Sequence, residues 1–210
     1  MDEIIKEVIP FAKDILFYAY KNDLSFPRSC GLVSNILTYF ISKTSLPTKY
    51  EIHCIRGIFK DIENGEWCDD VNYEIDRYNY KTYDCICHQC GCCDFMNPHS
   101  WIELIDKKTK KEYILDFTQI QFTENFPTIH QTILETIWEN ANDLFDYLSS
   151  NVDFFIINDD NDMFQYYIPL EKDISLEKMI KFVEVEQNGS YWGMVENFKE
   201  WRKENNYGNN

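Results

Sequence analysis

Asn97 to Leu104 reads NPHSWIEL and, after a short basic turn, Tyr113 to Phe122 reads YILDFTQIQF. Both stretches alternate apolar and polar residues with the two-residue period of a strand, and the DKKTK between them is turn-forming, so the pair predicts an antiparallel hairpin. If Lys107 to Lys110 form the loop, Asp106 faces Lys111, Leu104 faces Tyr113, Ile102 faces Leu115 and Ser100 faces Phe117. That register gathers the aliphatic residues on one face, which burial favours. It also puts His99, Trp101, Asp116 and Thr118 on the other face, with Thr118 opposite His99 and Asp116 opposite Trp101. Diagonal neighbours on one face lie about 7 Å apart, within reach of a carboxylate-imidazole hydrogen bond. Pro98, at the strand's start, costs no ladder bond. Glu103 shares this face, either exposed or helping to orient a substrate amine.

Upstream, residues 1–22 carry apolar side chains at helical spacing, with Pro10 expected to kink or restart the helix. Pro27 marks a connection, after which CGLVSNILTYFISK predicts a second helix with Cys30 at its N-terminus and TSLPT as the following turn. Tyr50 to Phe59 reads as a strand with Gly57 as a bulge. Residues 60–97 are polar, Asp-rich and Cys-rich, an insertion with one strand expected near Val71 to Ile75. Downstream, one helix is expected to run from Pro127 to about Ser150. Strands follow at Asp153 to Ile157 and Phe164 to Ile168, then helices at Leu176 to Val185 and Tyr191 to Lys203.

The 210 residues, 44% of them apolar and 16% aromatic, suffice for a packed core. Thirty-six acidic against twenty basic residues leave a formal charge of -16. That surface repels nucleic-acid backbones and anionic lipid, so neither partner is expected. With no long apolar run and a charged N-terminal stretch, a cytoplasmic protein is expected. Its eight cysteines then stay reduced and point to thiolate chemistry or metal binding.

A His and an Asp that face each other become catalytic when a nucleophile joins them. Cys30 sits where the partial positive charge and free N–H groups of a helix N-terminus favour a thiolate and can hold an oxyanion. In such a triad His99 takes the thiol proton and later donates one to the leaving group, while Asp116 fixes its tautomer. Taken singly, Cys30 would read as a packed helix cysteine, His99 as a satisfied strand residue and Asp116 as an edge charge.

Cysteine opening a helix (SCGLVSNIL), a strand ending near Gly (YEIHCIRGIF), H-x-W on the next (HSWIEL) and D-x-T-x-x-Q-F after it resemble the transglutaminase-like branch of the papain-like cysteine enzymes. The resemblance spans about Pro27 to Phe122 and keeps the order Cys, His, Asp. It implies a papain-like core, a thioester intermediate and acyl transfer to water or an amine, with a protein or peptide substrate and no cofactor for catalysis. Peptide or isopeptide hydrolysis is the first expectation, with deamidase and transglutaminase activities beside it. No Gln precedes Cys30, unlike in papain-like proteases, so the Cys30 N–H plus a second donor is expected in the oxyanion hole. Asn22 is one candidate donor. Gln121 and Trp101 are candidates for orienting the site or lining the acyl pocket.

A second cluster, YDCICHQCGCCDF, carries Cys85, Cys87, His88, Cys90, Cys92 and Cys93. Cys-x-x-Cys spacing occurs at Cys87 with Cys90 and at Cys90 with Cys93, so Cys85, Cys87, Cys90 and Cys93 are candidate ligands of a structural zinc ion. Cys54 and Cys68 could complete such a site from outside, and a reduced, unliganded loop is the alternative.

The expected fold is α+β: N-terminal helices packed on an antiparallel sheet, the Cys-rich insertion, and C-terminal helices covering the core. Residues 1–130 would form the catalytic core and 131–210 a helical part packed on it, together one compact domain. The reading from a different class is a non-catalytic papain-like scaffold whose acidic surface or Cys-rich loop binds a partner protein or zinc.

Overall fold

The computed structural model describes residues 1–22, 30–60, 96–123, 125–152, 155–171 and 190–205. The expected strand at 71–75, the helix at 176–185 and the candidate zinc ligands Cys85, Cys87, Cys90 and Cys93 lie outside them. In chain order the elements are α1 (Asp2–Lys21), α2 (Cys30–Ile41), the short α3 (Leu46–Lys49), β1 (Tyr50–Lys60), β2 (Met96–Asp106) and β3 (Glu112–Leu115). A 3-10 turn (Gln119–Phe122) leads to α4 (Phe126–Glu135), α5 (Ala141–Ser149) and β4 (Ile156–Asn158); a second (Asp162–Tyr166) leads to β5 (Tyr167–Glu171), and α6 (Ser190–Glu204) follows. The architecture is α+β.

The five strands form one antiparallel sheet in the order β4-β3-β2-β1-β5. The hairpin adopts the register expected from its alternation, with Ile102 opposite Leu115 and Leu104 opposite Tyr113. Its loop closes through Asp106: the backbone N–H accepted by Lys111 at 2.9 Å, and Oδ1 receiving the N–H groups of Lys108 and Thr109, each at 2.8 Å. Such a side-chain-closed turn needs no glycine, although Lys110 adopts φ 62° to complete it. Gly57 marks the expected irregularity, a register shift between Arg56 and Gly57 where β1 meets β5.

Sheet alternation separates two cores. Ile52, Ile102, Leu104, Tyr113 and Leu115 pack against α1 and α2, together with Phe117 beyond β3. The other face buries Ile55, Phe59, Trp101, Ile114, Ile157 and Tyr167. Segment 131–171 is thus not purely helical, since β4 and β5 form the two edges of the sheet.

Three local expectations change. α1 continues through Pro10 without a restart; the proline ring lies on the exposed side, where solvent can reach the carbonyl it leaves unpaired. TSLPT is not merely a turn: Pro47 sits in the first turn of α3, where its missing N–H costs nothing. The helix expected from Pro127 to Ser150 divides at 136–140, because α1 competes for that backbone. Tyr20 Oη donates to the Thr136 carbonyl at 3.0 Å and Lys21 Nζ to that of Trp138 at 2.8 Å. Asn140 then restarts the helix by accepting the Asp143 N–H at 2.9 Å.

The C-terminal helix is fastened to the first one by Arg202. Its Nε lies 2.8 Å from Asp14 Oδ2, and its guanidinium stacks on the rings of Phe11, Phe40 and Phe198. Burial raises the Asp14 pKa and Arg202 pulls it back down. Arg202→Ala should therefore destabilise the protein by about 2–4 kcal/mol, since it strands a buried carboxylate. An acid whose folded pKa is raised loses stability as pH climbs from its unfolded value of 3.8 up to the folded one. Denaturant melts should accordingly show a larger loss at pH 8 than at pH 5, and Asp14→Asn in the same chain should recover part of it.

Candidate active site

β3 ends at Leu115 while β2 continues toward Met96, so the backbone of β2 beyond Ile102 has no strand beside it on that side. The first turn of α2 fills the gap. Ser34 Oγ donates to the Ser100 carbonyl at 2.9 Å, so this buried backbone group finds its partner on a helix instead of a strand. Cys30, one turn earlier in α2, thereby arrives beside His99 and the Ser100 N–H, which both favour its thiolate.

His99 Nε2 lies 2.6 Å from Asp116 Oδ2, and each residue is only 2% exposed. With Nε2 committed to the carboxylate, Nδ1 is the ring nitrogen left to exchange a proton with the thiol. Gln121 reaches the same nitrogen, its amide 3.3 Å from Nδ1. Trp101 is buried and stacks on the imidazole, with ring centres 6.1 Å apart; its indole N–H has no hydrogen-bond partner among the described residues.

Asp116 reaches His99 by a route different from the expected one. The ladder stops one residue earlier, and the Asp116 N–H bonds to the Phe155 carbonyl at 2.9 Å. Thr118 consequently does not pair opposite His99. It curls back, its N–H 2.9 Å and its hydroxyl 3.1 Å from Asp116 Oδ1. The aspartate that would have extended the strand closes a turn on itself, which fixes its carboxyl plane.

One partner was not singled out in the sequence. Tyr167 Oη donates to Asp116 Oδ2 at 2.9 Å, on the oxygen that also holds His99. The tyrosine opens β5, directly opposite Phe59 of β1. The strand expected at Phe164 to Ile168 begins only at Tyr167, because Asp162–Tyr166 form a 3-10 turn, and nothing local marked which aromatic faced the aspartate.

Charge in this cluster results from competing effects. Burial opposes ionisation of His99, but the Asp116 charge and hydrogen bond, with the Cys30 thiolate, raise its pKa to about 9. Burial likewise opposes the carboxylate, yet His99, the Thr118 N–H and Tyr167 hold Asp116 below the ordinary range. For Cys30, burial is outweighed by the hydrogen bond and charge of His99 and by the Ser100 N–H, so its thiol is more acidic than usual. A thiolate-imidazolium pair is the favoured form between the lowered thiol pKa and about 9.

The other candidates separate clearly. Asn22 is the exposed C-cap of α1, and its side-chain amide donates to the Tyr18 carbonyl at 2.9 Å; the structure does not bring it to the triad. Cys54, the second free thiol among the described residues, is buried in β1 with Sγ 3.4 Å from Asn35 Oδ1. Among the described residues no cluster of three His, Cys, Asp or Glu could hold a metal ion, and no helix is long and apolar enough to cross a membrane.

No protein-family model, curated protein or solved structure matches the chain.

The lowered thiol pKa has a direct readout. Alkylation of Cys30 by iodoacetamide, followed by peptide mass spectrometry across pH 5 to 10, should titrate below the ordinary thiol value of 9.0. His99→Ala leaves burial dominant, so the midpoint should move up and the rate at pH 7 fall by about tenfold or more. Buried Cys54 supplies the slow internal reference.

Proposed function

We propose that the protein is a cysteine-dependent acyl-transfer enzyme acting on amide bonds, with Cys30 as nucleophile, His99 as acid and base, and Asp116 as the group that orients the imidazole. The observation that carries this reading is the buried His99–Asp116 hydrogen bond of 2.6 Å, with Cys30 beside the imidazole and its thiol made more acidic than usual by it. Each of the three alone is commonplace; a half-exposed acidic thiol joined to a buried imidazole and carboxylate is what nucleophilic catalysis requires.

The thiolate attacks the amide carbonyl carbon, and the resulting oxyanion is stabilised by the N–H at the start of α2. Gln121, whose amide already lies at the thiol-facing nitrogen of His99, is the nearest candidate for a second donor. The His99 Nδ1 proton passes to the departing nitrogen as the C–N bond breaks, leaving a Cys30 thioester and a free amine. Nδ1 then removes a proton from water, the hydroxide adds to the thioester, and collapse releases a carboxylate and restores the thiolate. An amine in place of water would yield a new amide by the same steps.

The helix, strand, strand order of Cys, His and Asp supports a transglutaminase-like or papain-like core. Peptide or isopeptide hydrolysis is the first reading of the reaction, because thioester hydrolysis needs no second substrate; deamidation and transamidation share every residue. The substrate on this reading is a protein or peptide, and the steps draw on no cofactor. A structural zinc ion at Cys85, Cys87, Cys90 and Cys93 would be independent of these steps.

Incubating the protein with cell extract and measuring its intact mass should reveal an acyl adduct on wild type that Cys30→Ala lacks. With casein as a generic substrate, new amino termini indicate hydrolysis, ammonia without cleavage indicates deamidation, and dansylcadaverine incorporation indicates transamidation. Asp116→Asn should lower whichever rate is seen by about a hundredfold or more. Absence of both adduct and turnover, with Cys30 no more reactive than Cys54, would leave the scaffold reading in its place.

A further inference from the structure

We infer that Tyr167 is a positioning residue of this site, acting through Asp116: its hydroxyl takes a share of the charge on Oδ2 and so limits how tightly His99 holds its proton. The inference rests on the catalytic reading above and adds to it a residue from the far edge of the sheet.

The geometry is specific. Oδ1 of Asp116 is occupied among the described residues by Thr118, through its N–H and hydroxyl. Oδ2 receives two donors from different strands, His99 Nε2 at 2.6 Å and Tyr167 Oη at 2.9 Å. Two donors on one oxygen compete for the same electron density, so each weakens the other. A carboxylate held by the imidazole alone would bind the imidazolium more tightly and make it a poorer acid toward a departing amine.

The phenol is suited to this task because it does not ionise itself. Burial and the neighbouring carboxylate keep its pKa well above the ordinary tyrosine value. It therefore remains a donor at any pH where the thiolate-imidazolium pair exists. Its ring is clamped at centroid distances of 4.9 Å from Phe59, 5.2 Å from Trp101 and 6.4 Å from His99. The titratable groups that act on the Asp116-His99 pair include Cys30 from α2 and Tyr167 from β5.

Tyr167→Phe keeps the clamped ring and removes only the donor. The His99 ring resonances, followed by NMR titration, should then move from a midpoint of about 9 to a value higher by about half a pH unit or more. An unchanged midpoint, or a lower one as expected for Asp116→Asn, would overturn the inference, because a tyrosine that merely propped the carboxyl in place would not raise it. Should Tyr167→Phe fail to fold, fluorotyrosine placed at 167 by codon suppression strengthens the donor and should move the midpoint downward; no movement or a rise refutes the proposal equally. Alkylation of Cys30 in wild type separates the two ideas. A sluggish Cys30 would count against catalysis while the His99 titration still reads Tyr167, and a reactive Cys30 with an unmoved titration would sink only the role of Tyr167.

Discussion

The early end of β3 is the constraint on which the site depends. Had the hairpin zipped on past Leu115, the backbone of Ser100 would have been paired to a strand and the first turn of α2 would have had nothing to satisfy. Because it stops, Ser100 offers an N–H and a carbonyl in the interior, and α2 is held there by Ser34 and Cys30. Sheet and α2 are therefore coupled through the backbone of Ser100, which sequence change at that position can alter only through the backbone itself. Asp116, released from the ladder by the same ending, is free to turn onto His99.

Placing three ionisable groups in an apolar interior is unfavourable unless each stabilises the others. For all three, burial is the largest influence and opposes the charged form. The charges persist because they form a connected set: carboxylate beside imidazolium, imidazolium beside thiolate, with Thr118, Tyr167 and the Ser100 N–H as neutral donors. Removing one member does more than delete a contact, since the remaining charges lose what offsets their desolvation. An apolar packing of equal volume would cost less.

Which parts were legible in the sequence follows from the range of the interactions. The β2-β3 register, the position of Gly57 and the meeting of His99 with Asp116 depend on alternation and on a turn a few residues long, and they were readable. The halt of β3 was not, because it is set by the turn in which Thr118 folds back onto the Asp116 carboxylate. Tyr20 and Lys21, more than a hundred residues upstream, divide α4 from α5, so helical spacing alone ran through the break. Tyr167 stayed hidden for the same reason: its role exists only once β5 pairs with β1. Asn22 showed the converse error, a plausible donor in sequence order whose amide is spent on capping its own helix.

The two free thiols among the described residues show how far environment decides chemistry. Cys54 lies within β1, opposite Ile102, where side chains are packed and its sulfur meets an amide oxygen. Cys30 begins a helix, is half-exposed, and faces an imidazole held by a carboxylate. The first sulfur is enclosed by packed side chains; the second lies at a helix N-terminus beside an imidazole and is partly exposed. The distinction rests on the partners each sulfur meets and not on its residue type. The same principle extends to Asp116, whose Oδ1 is held within its own turn by Thr118 while Oδ2 meets His99 of β2 and Tyr167 of β5.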